Sequence, residues 1–237
     1  MEAEAMEIVS TSQGWEFLLR YLHFLAGIIW IGVLYYFNFI QTPFFASTDA
    51  NVRSGMIRGL VPSALWWFRW GAMFTFLSGW TIIIIKLSKG TGLSDPYMTK
   101  ILIGGIMGTF MWANVWFVIW PAQKVVIASA EQVAGGGEAI PEAAARGARA
   151  GVASRTNTLF SIPLLFFMGA ASHFVWLTDS SLAAWWIIAG IIILLVEINA
   201  LVGPGLVTQR PLGSVSGTII SGFVLTVVLW ILGSFIA

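Results

Sequence analysis

The chain has 237 residues, of which 58% are hydrophobic and 10% charged, and its net charge is +1. Soluble domains carry about a quarter charged residues, so this composition excludes a water-soluble globular domain and points to a membrane protein. The small net charge excludes the concentrated basic face that nucleic acid requires, and the lack of cysteine excludes disulfides, thiolate metal sites, iron–sulfur clusters and a Cys-x-x-Cys-His haem attachment. With His23 and His173 the only histidines, a three-histidine metal site and a carboxylate-bridged di-iron site are excluded as well.

Met1 to Glu7 is acidic where a secretory signal would be positive. A hydrocarbon core of about 30 Å takes roughly 20 apolar residues per helix, and six segments meet that length, near 17–40, 62–87, 99–120, 157–178, 182–202 and 214–236. Pro43, Pro62, Pro96, Pro121 and Gly203-Pro204-Gly205 are expected at or near helix ends. Trp15, Trp66, Trp67, Trp120, Trp176, Trp185 and Trp186 are expected at the membrane interfaces. Residues 122–156 are expected to form one long loop, flexible at Gly135-Gly136-Gly137 and helix-forming beyond Pro141, where Glu142 and Arg146 stand four apart. The triple glycine is not followed by Gly-Lys-Ser/Thr and is no phosphate loop. Gly104 and Gly108, and likewise Gly213, Gly217 and Ser221, are spaced as close-packing faces between helices.

Arg53, Arg58, Arg69, Lys124, Arg146, Arg149, Arg155 and Arg210 fall on one side of these spans, against Arg20, Lys86, Lys89 and Lys100 on the other. The side richer in cations is expected to be cytoplasmic. The expected fold is therefore an all-α integral membrane protein, a single transmembrane domain of about six helices over 1–237 with both termini outside. No repeat of 20 to 50 residues suggests an inverted-repeat transporter.

Ionisable and amide side chains inside spans carry the functional signal. His23 lies about two turns into the first helix and His173 about one turn from the outer end of the fourth, both roughly 6–9 Å below the outer boundary. Two imidazoles at one depth suit axial ligation of a haem b iron, with Gly27 and Gly169-Ala170-Ala171 leaving room for a ring. The alternative is ordinary hydrogen bonding to neighbouring helices, and Lys86 could also serve as an axial partner, although a snorkelling lysine explains it as well.

A second cluster is expected on the cytoplasmic half: Asn38, Gln41, Arg69, Asn114, Arg155, Asn157, Glu197 and Asn199. In one reading Arg69 and Glu197 form a buried pair. In the other, Arg69 or Arg155 holds a planar anion, the amides of Asn38, Gln41, Asn114 and Asn157 read its edge, and Trp112, Trp116 or Phe37 stacks on it. Glu197 would then act as base.

Four stretches carry a family resemblance: Trp30 to Pro43, Trp67-Phe-Arg-Trp-Gly71, Gly108 to Lys124, and Ser154 to Pro163 continuing to His173. They resemble the membrane domain of bacterial cytochrome c-type urate oxidases over most of residues 15–178. The resemblance implies a purine oxidase of the bacterial inner membrane that hands electrons to a c-type cytochrome. Members of that kind carry a C-terminal cytochrome c domain, whereas this sequence contains no Cys-x-x-Cys-His. A separate c-type cytochrome or another electron-transfer subunit would take the electrons.

The leading expectation is an oxidoreductase acting on urate or a related purine. Arg69 and Glu197 would be catalytic, Asn38, Gln41, Asn114, Arg155, Asn157 and Trp116 would bind substrate, and His23 and His173 would hold haem b. The alternative is a non-catalytic membrane subunit that anchors or wires a larger electron-transfer complex. A transporter or channel for small anions is a third reading, weakened by the lack of a repeat.

Overall fold

The computed structural model describes residues 7–174 and 182–236. A short α1 (Glu7–Ser10) precedes α2 (Ser12–Tyr35), which continues through a π-helical segment, Tyr36–Gln41, into α3 (Thr42–Ser47). Next come α4 (Ala50–Ser88) and α5 (Pro96–Ala113), and a second π-helical segment, Asn114–Ile119, leads into α6 (Trp120–Ala134). The chain then forms α7 (Ala143–His173), α8 (Leu182–Leu201), a 3₁₀ turn (Val207–Gly213) and α9 (Val215–Ile236). No strand occurs among the described residues.

Five segments are long and apolar enough to cross a membrane: Ser12–Ser47, Ala50–Ser88, Pro96–Ala134, Leu182–Leu201 and Val215–Ile236. The protein is an all-α, multi-pass membrane bundle. The fourth expected span corresponds to the second half of α7, which packs against α5, α6, α9 and the second π segment. Thr156, Asn157, Thr158, Leu159, Phe160 and Ser161 are all buried in succession. A helix enclosed by other helices faces protein on every side, so it can carry hydroxyls and amides that lipid would reject.

Local signals start two of the helices, and the first begins at Ser12, ahead of the expected 17. Thr11 Oγ1 accepts a hydrogen bond from Gly14 N at 3.0 Å ahead of α2, and Asp95 caps α5 through Tyr97 N and Met98 N with Pro96 at the first position. Gly203 and Gly205 take φ of 96° and 112° in the turn after α8, a backbone region that disfavours a side chain.

Other proline signals read differently. Pro62 lies inside α4 and Pro163 inside α7, because an interior proline forfeits one backbone hydrogen bond while the packed helix on either side retains the rest. Pro43 and Pro121 do not end their helices; each is the second residue after a π-helical segment. The carbonyl with which a proline ring would clash belongs to the residue four earlier, Phe39 or Phe117, and both of these sit in the wider π turns that relieve the clash.

The expected loop at 122–156 is mostly helix. It contracts to residues 135–142, with Gly136 at φ 85° in the turn. The flanking sequence is rich in alanine, and α6 and α7 pack on one another there: Ala150 and Ala153 are buried, and a Cβ on Gly147 would touch Val126 Cγ2 at 3.4 Å.

The small-residue faces are partly as expected. A Cβ on Gly104 would meet Met168 Cγ at 3.1 Å, and one on Gly108 would meet Leu164 Cδ1 at 3.4 Å, so both glycines bring α5 onto α7. On α9 the close approach is made by Gly222, where a Cβ would fall 2.9 Å from Leu159 O. Trp15, Trp66 and Trp67 are exposed as expected of interfacial residues, whereas Trp185 is fully buried beside Phe167, with ring centroids 6.3 Å apart. Trp176 lies outside the described residues, as does most of the acidic N-terminal tail.

The two ends of the bundle differ in chemistry. At one end Glu16 is held by Lys89 and by Arg20, and buried Lys100 donates to Phe174 O at 2.6 Å. The other end gathers the first π segment, the start of α7 and the 3₁₀ turn, with Arg155 and Arg210. This segregation of cations matches the two sides counted from the sequence.

Candidate functional site

The polar residues expected to form one inner cluster separate into three places. The first is a cavity of about 720 Å³ at the Arg155 end of the bundle, bounded by α4, α6, α7, the first π segment and the 3₁₀ turn. Of the expected ligand-binding residues, Asn38, Gln41 and Arg155 line it. Asn38 is fixed from two sides, its Nδ2 donating to Leu34 O at 2.9 Å and to Ser154 Oγ at 2.8 Å. Gln41 presents a buried Oε1 that has no hydrogen-bond partner. Arg155 makes one long hydrogen bond, Nη1 to Leu212 O at 3.4 Å, and no ion pair among the described residues.

Gln123, Gln209 and Arg210 also line the cavity. Gln209 is a structural residue: its Oε1 accepts from Gly205 N and Leu206 N, and its Nε2 donates to Asn199 O and Gly203 O, which pins the turn after α8. Gln123 was legible only as part of the Pro-Ala-Gln-Lys stretch, and Arg210 only as a basic loop residue. Among the lining residues Arg155 and Arg210 are the only ionisable side chains. The cavity is therefore cationic, with fixed amides and an unfilled acceptor, and the described residues give it no proton-accepting carboxylate.

Asn114, Asn157 and Glu197 form the second place, a hydrogen-bonded network in the protein core. Asn114 Nδ2 donates to Asn157 Oδ1 at 3.0 Å and to Glu197 Oε2 at 3.1 Å, and Asn157 Nδ2 donates to Met111 O at 2.9 Å. All three residues are buried. The network ties α8 and α7 to the junction of α5 with the second π segment, where the widened turn presents Asn114. Glu197 and Asn114 border a separate, largely apolar cleft of about 320 Å³ between that segment and α8. Glu197 is thus absent from the walls of the larger cavity.

Arg69 and Trp116 define the third place. The Arg69 guanidinium carbon lies 3.5 Å from the centre of the Trp120 ring and 5.7 Å from that of Trp116, and its Nε donates to Leu65 O at 3.2 Å. Neither expected partnership holds: Arg69 makes no ion pair with Glu197 and does not line the cavity. Its cation is stabilised instead by the faces of two indoles.

The two histidines are not joined by any contact among the described residues. His23 Nδ1 lies 2.9 Å from Thr75 O and 3.2 Å from Ser78 Oγ. A backbone carbonyl can only accept, so Nδ1 carries the proton and Nε2 keeps its lone pair, the arrangement that a metal-bound imidazole requires. Gly79 makes the seat, since a Cβ there would come within 2.9 Å of His23 Cε1. Gly27 faces Thr75 across the same contact at ordinary distance. His173 is the exposed last residue of α7. The chain therefore supplies one oriented imidazole that fits an axial ligand and a second at the open end of α7. Lys86 Nζ lies 5.3 Å from the Tyr97 ring centre.

The comparison with known families bears on the segment from the start of α5 to the turn after α8. Residues 97–204 match the urate oxidase N-terminal family. Over that region the chain is similar to that family. The match takes in the Asn114–Asn157–Glu197 network, Arg155, Trp116, Trp120 and His173; Asn38, Gln41, Arg69 and His23 lie ahead of it. No curated protein and no solved structure matches the chain.

Proposed function

We propose that the protein is a membrane oxidoreductase that oxidises urate or a closely related purine, with the cavity beside Arg155 as its substrate site. The observation that carries this reading is the pairing of an Arg155 guanidinium that has no carboxylate partner among the described residues with the partnerless acceptor Gln41 Oε1. A urate monoanion is planar, bears carbonyl oxygens for a guanidinium fork and offers ring N–H groups to an amide oxygen. Asn38, held rigidly through Leu34 and Ser154, sets the orientation of that edge.

Two-electron oxidation of urate adds a hydroxyl from one water and releases two protons. With no carboxylate in the walls, those protons leave to water in the cavity, and Glu197 serves the fold and not the proton transfer. Haem b would be held by His23 through Nε2 and by His173. Bound there, it would supply one-electron steps toward a c-type cytochrome or another external subunit.

Equilibrium binding of labelled urate to the detergent-purified protein tests the site. A hydrogen bond to a charged group contributes about 1.5–3 kcal/mol, so Arg155→Ala should weaken urate binding by about 10- to 100-fold, and unchanged affinity would overturn the assignment. A second reading, a non-catalytic wiring subunit, is favoured by the lack of a base in the cavity. It predicts a b-type spectrum that added urate leaves oxidised.

A further inference from the structure

The cation and the indoles left outside the cavity form a surface of their own. Arg69 and Lys124 both approach the Trp120 ring, Arg69 Cζ at 3.5 Å and Lys124 Nζ at 5.6 Å from its centre. Trp116 completes the seat, and Trp70 packs edge-on against it, with centroids 5.9 Å apart. Trp66, Trp67 and Trp70 on α4 are exposed. Apart from its Nε, which is bonded to Leu65 O, the Arg69 guanidinium has no hydrogen-bond partner, and neither cation has a carboxylate among the described residues. Further along α4, Phe74, Leu77 and Ile84 form an exposed apolar run that continues toward the opposite end of the helix.

Two cations at one indole, a row of tryptophans at interfacial position and an apolar helix face beyond them constitute a complementary surface for one amphiphile. We propose that Arg69 and Lys124 bind the phosphate of an anionic phospholipid, whose acyl chains lie along the Phe74–Leu77–Ile84 face of α4. The guanidinium's terminal N–H groups match a phosphodiester bidentately, and Lys124, exposed at the rim, adds a second positive charge. A zwitterionic lipid would bring its own cation to a site that already holds two, so the charge balance selects a lipid with net negative charge. This assignment also accounts for Arg69 as a charged residue inside a span that faces away from the cavity.

Native mass spectrometry of the full chain, exchanged into mixed micelles holding equal amounts of phosphatidylglycerol and phosphatidylcholine, tests the proposal. The wild-type protein should retain phosphatidylglycerol preferentially, and Lys124→Gln should reduce that preference about five-fold, the effect of one charge near the surface. Arg69→Gln should reduce it at least as much. If the Arg69 variant does not fold, the exposed Lys124 position carries the comparison alone. Inorganic phosphate at millimolar concentration should leave the retained lipid in place; displacement by phosphate would identify a free-anion site and overturn the lipid assignment. Equal retention of the two lipids by the wild type, or an unchanged preference in Lys124→Gln, would overturn it as well.

Discussion

Replacing Asn157 with alanine probes how the inner half of the bundle is held together. Asn157 is fully buried on α7 and joins α7 to the α5–π junction twice, by accepting from Asn114 Nδ2 at 3.0 Å and by donating to Met111 O at 2.9 Å. Interhelical hydrogen bonds in membrane proteins contribute about 0.6 kcal/mol on average and up to about 1.7, so losing two removes about 1–3 kcal/mol. The substitution also strands one side-chain N–H of Asn114 away from water, which moves the expected loss toward about 3 kcal/mol, while the Met111 carbonyl still accepts from the Asn114 backbone N–H. Unfolding in mixed micelles with increasing dodecyl sulfate, followed by helicity, gives the value. Thr81→Ala is the control, because Thr81 is exposed and bonds only the Leu77 carbonyl of its own helix. A double-mutant cycle with Asn114→Ala should return a coupling of about 1 kcal/mol. A loss for Asn157→Ala no larger than that for Thr81→Ala, or a coupling near zero, would refute the network as a helix-to-helix tie.

Two further substitutions follow from close approaches. Gly222→Leu places a Cβ 2.9 Å from the Leu159 carbonyl and 2.5 Å from Ile162 Cδ1, so α9 must move off α7, and the same unfolding assay should register about 1–3 kcal/mol of destabilisation. Gly79→Val should displace the His23 imidazole, whose Cε1 lies 2.9 Å from the new Cβ; a pyridine haemochrome assay on purified protein should then show less haem per chain than wild type, and equal haem content would sink the role assigned to His23.

Much of the bundle was legible from hydropathy, since apolar runs of membrane-spanning length are dictated by lipid on the outside of each helix. Depth was legible too: Asn114, Asn157 and Glu197 were expected in one slab, and they bond to one another. What counting residues along a span cannot supply is azimuth. Arg69 was expected in the same half of the bundle as Arg155, yet one points to Trp120 and the other to the cavity. His23 and His173 share a nominal depth, yet His23 turns to the Thr75 carbonyl of α4. Proline misled for a related reason. Pro43, Pro62 and Pro121 are strong punctuation in short soluble helices, but in helices of membrane length the surrounding packing outweighs one lost hydrogen bond, or the turn before the ring widens to admit it.

That widening has an effect beyond relief of a steric clash. A π turn accommodates an extra residue without advancing the helix by another full step, so everything downstream is rotated by roughly 100° from the phase of an uninterrupted α-helix. Gln123, beyond the second π segment, owes its place on the cavity wall to this offset, and Gln41, at the close of the first, takes its aim from the same kind of turn. Each segment therefore behaves as a one-residue insertion retained in a continuous rod, and deleting a single residue within it would restore regular winding while swinging these amides toward a different neighbour.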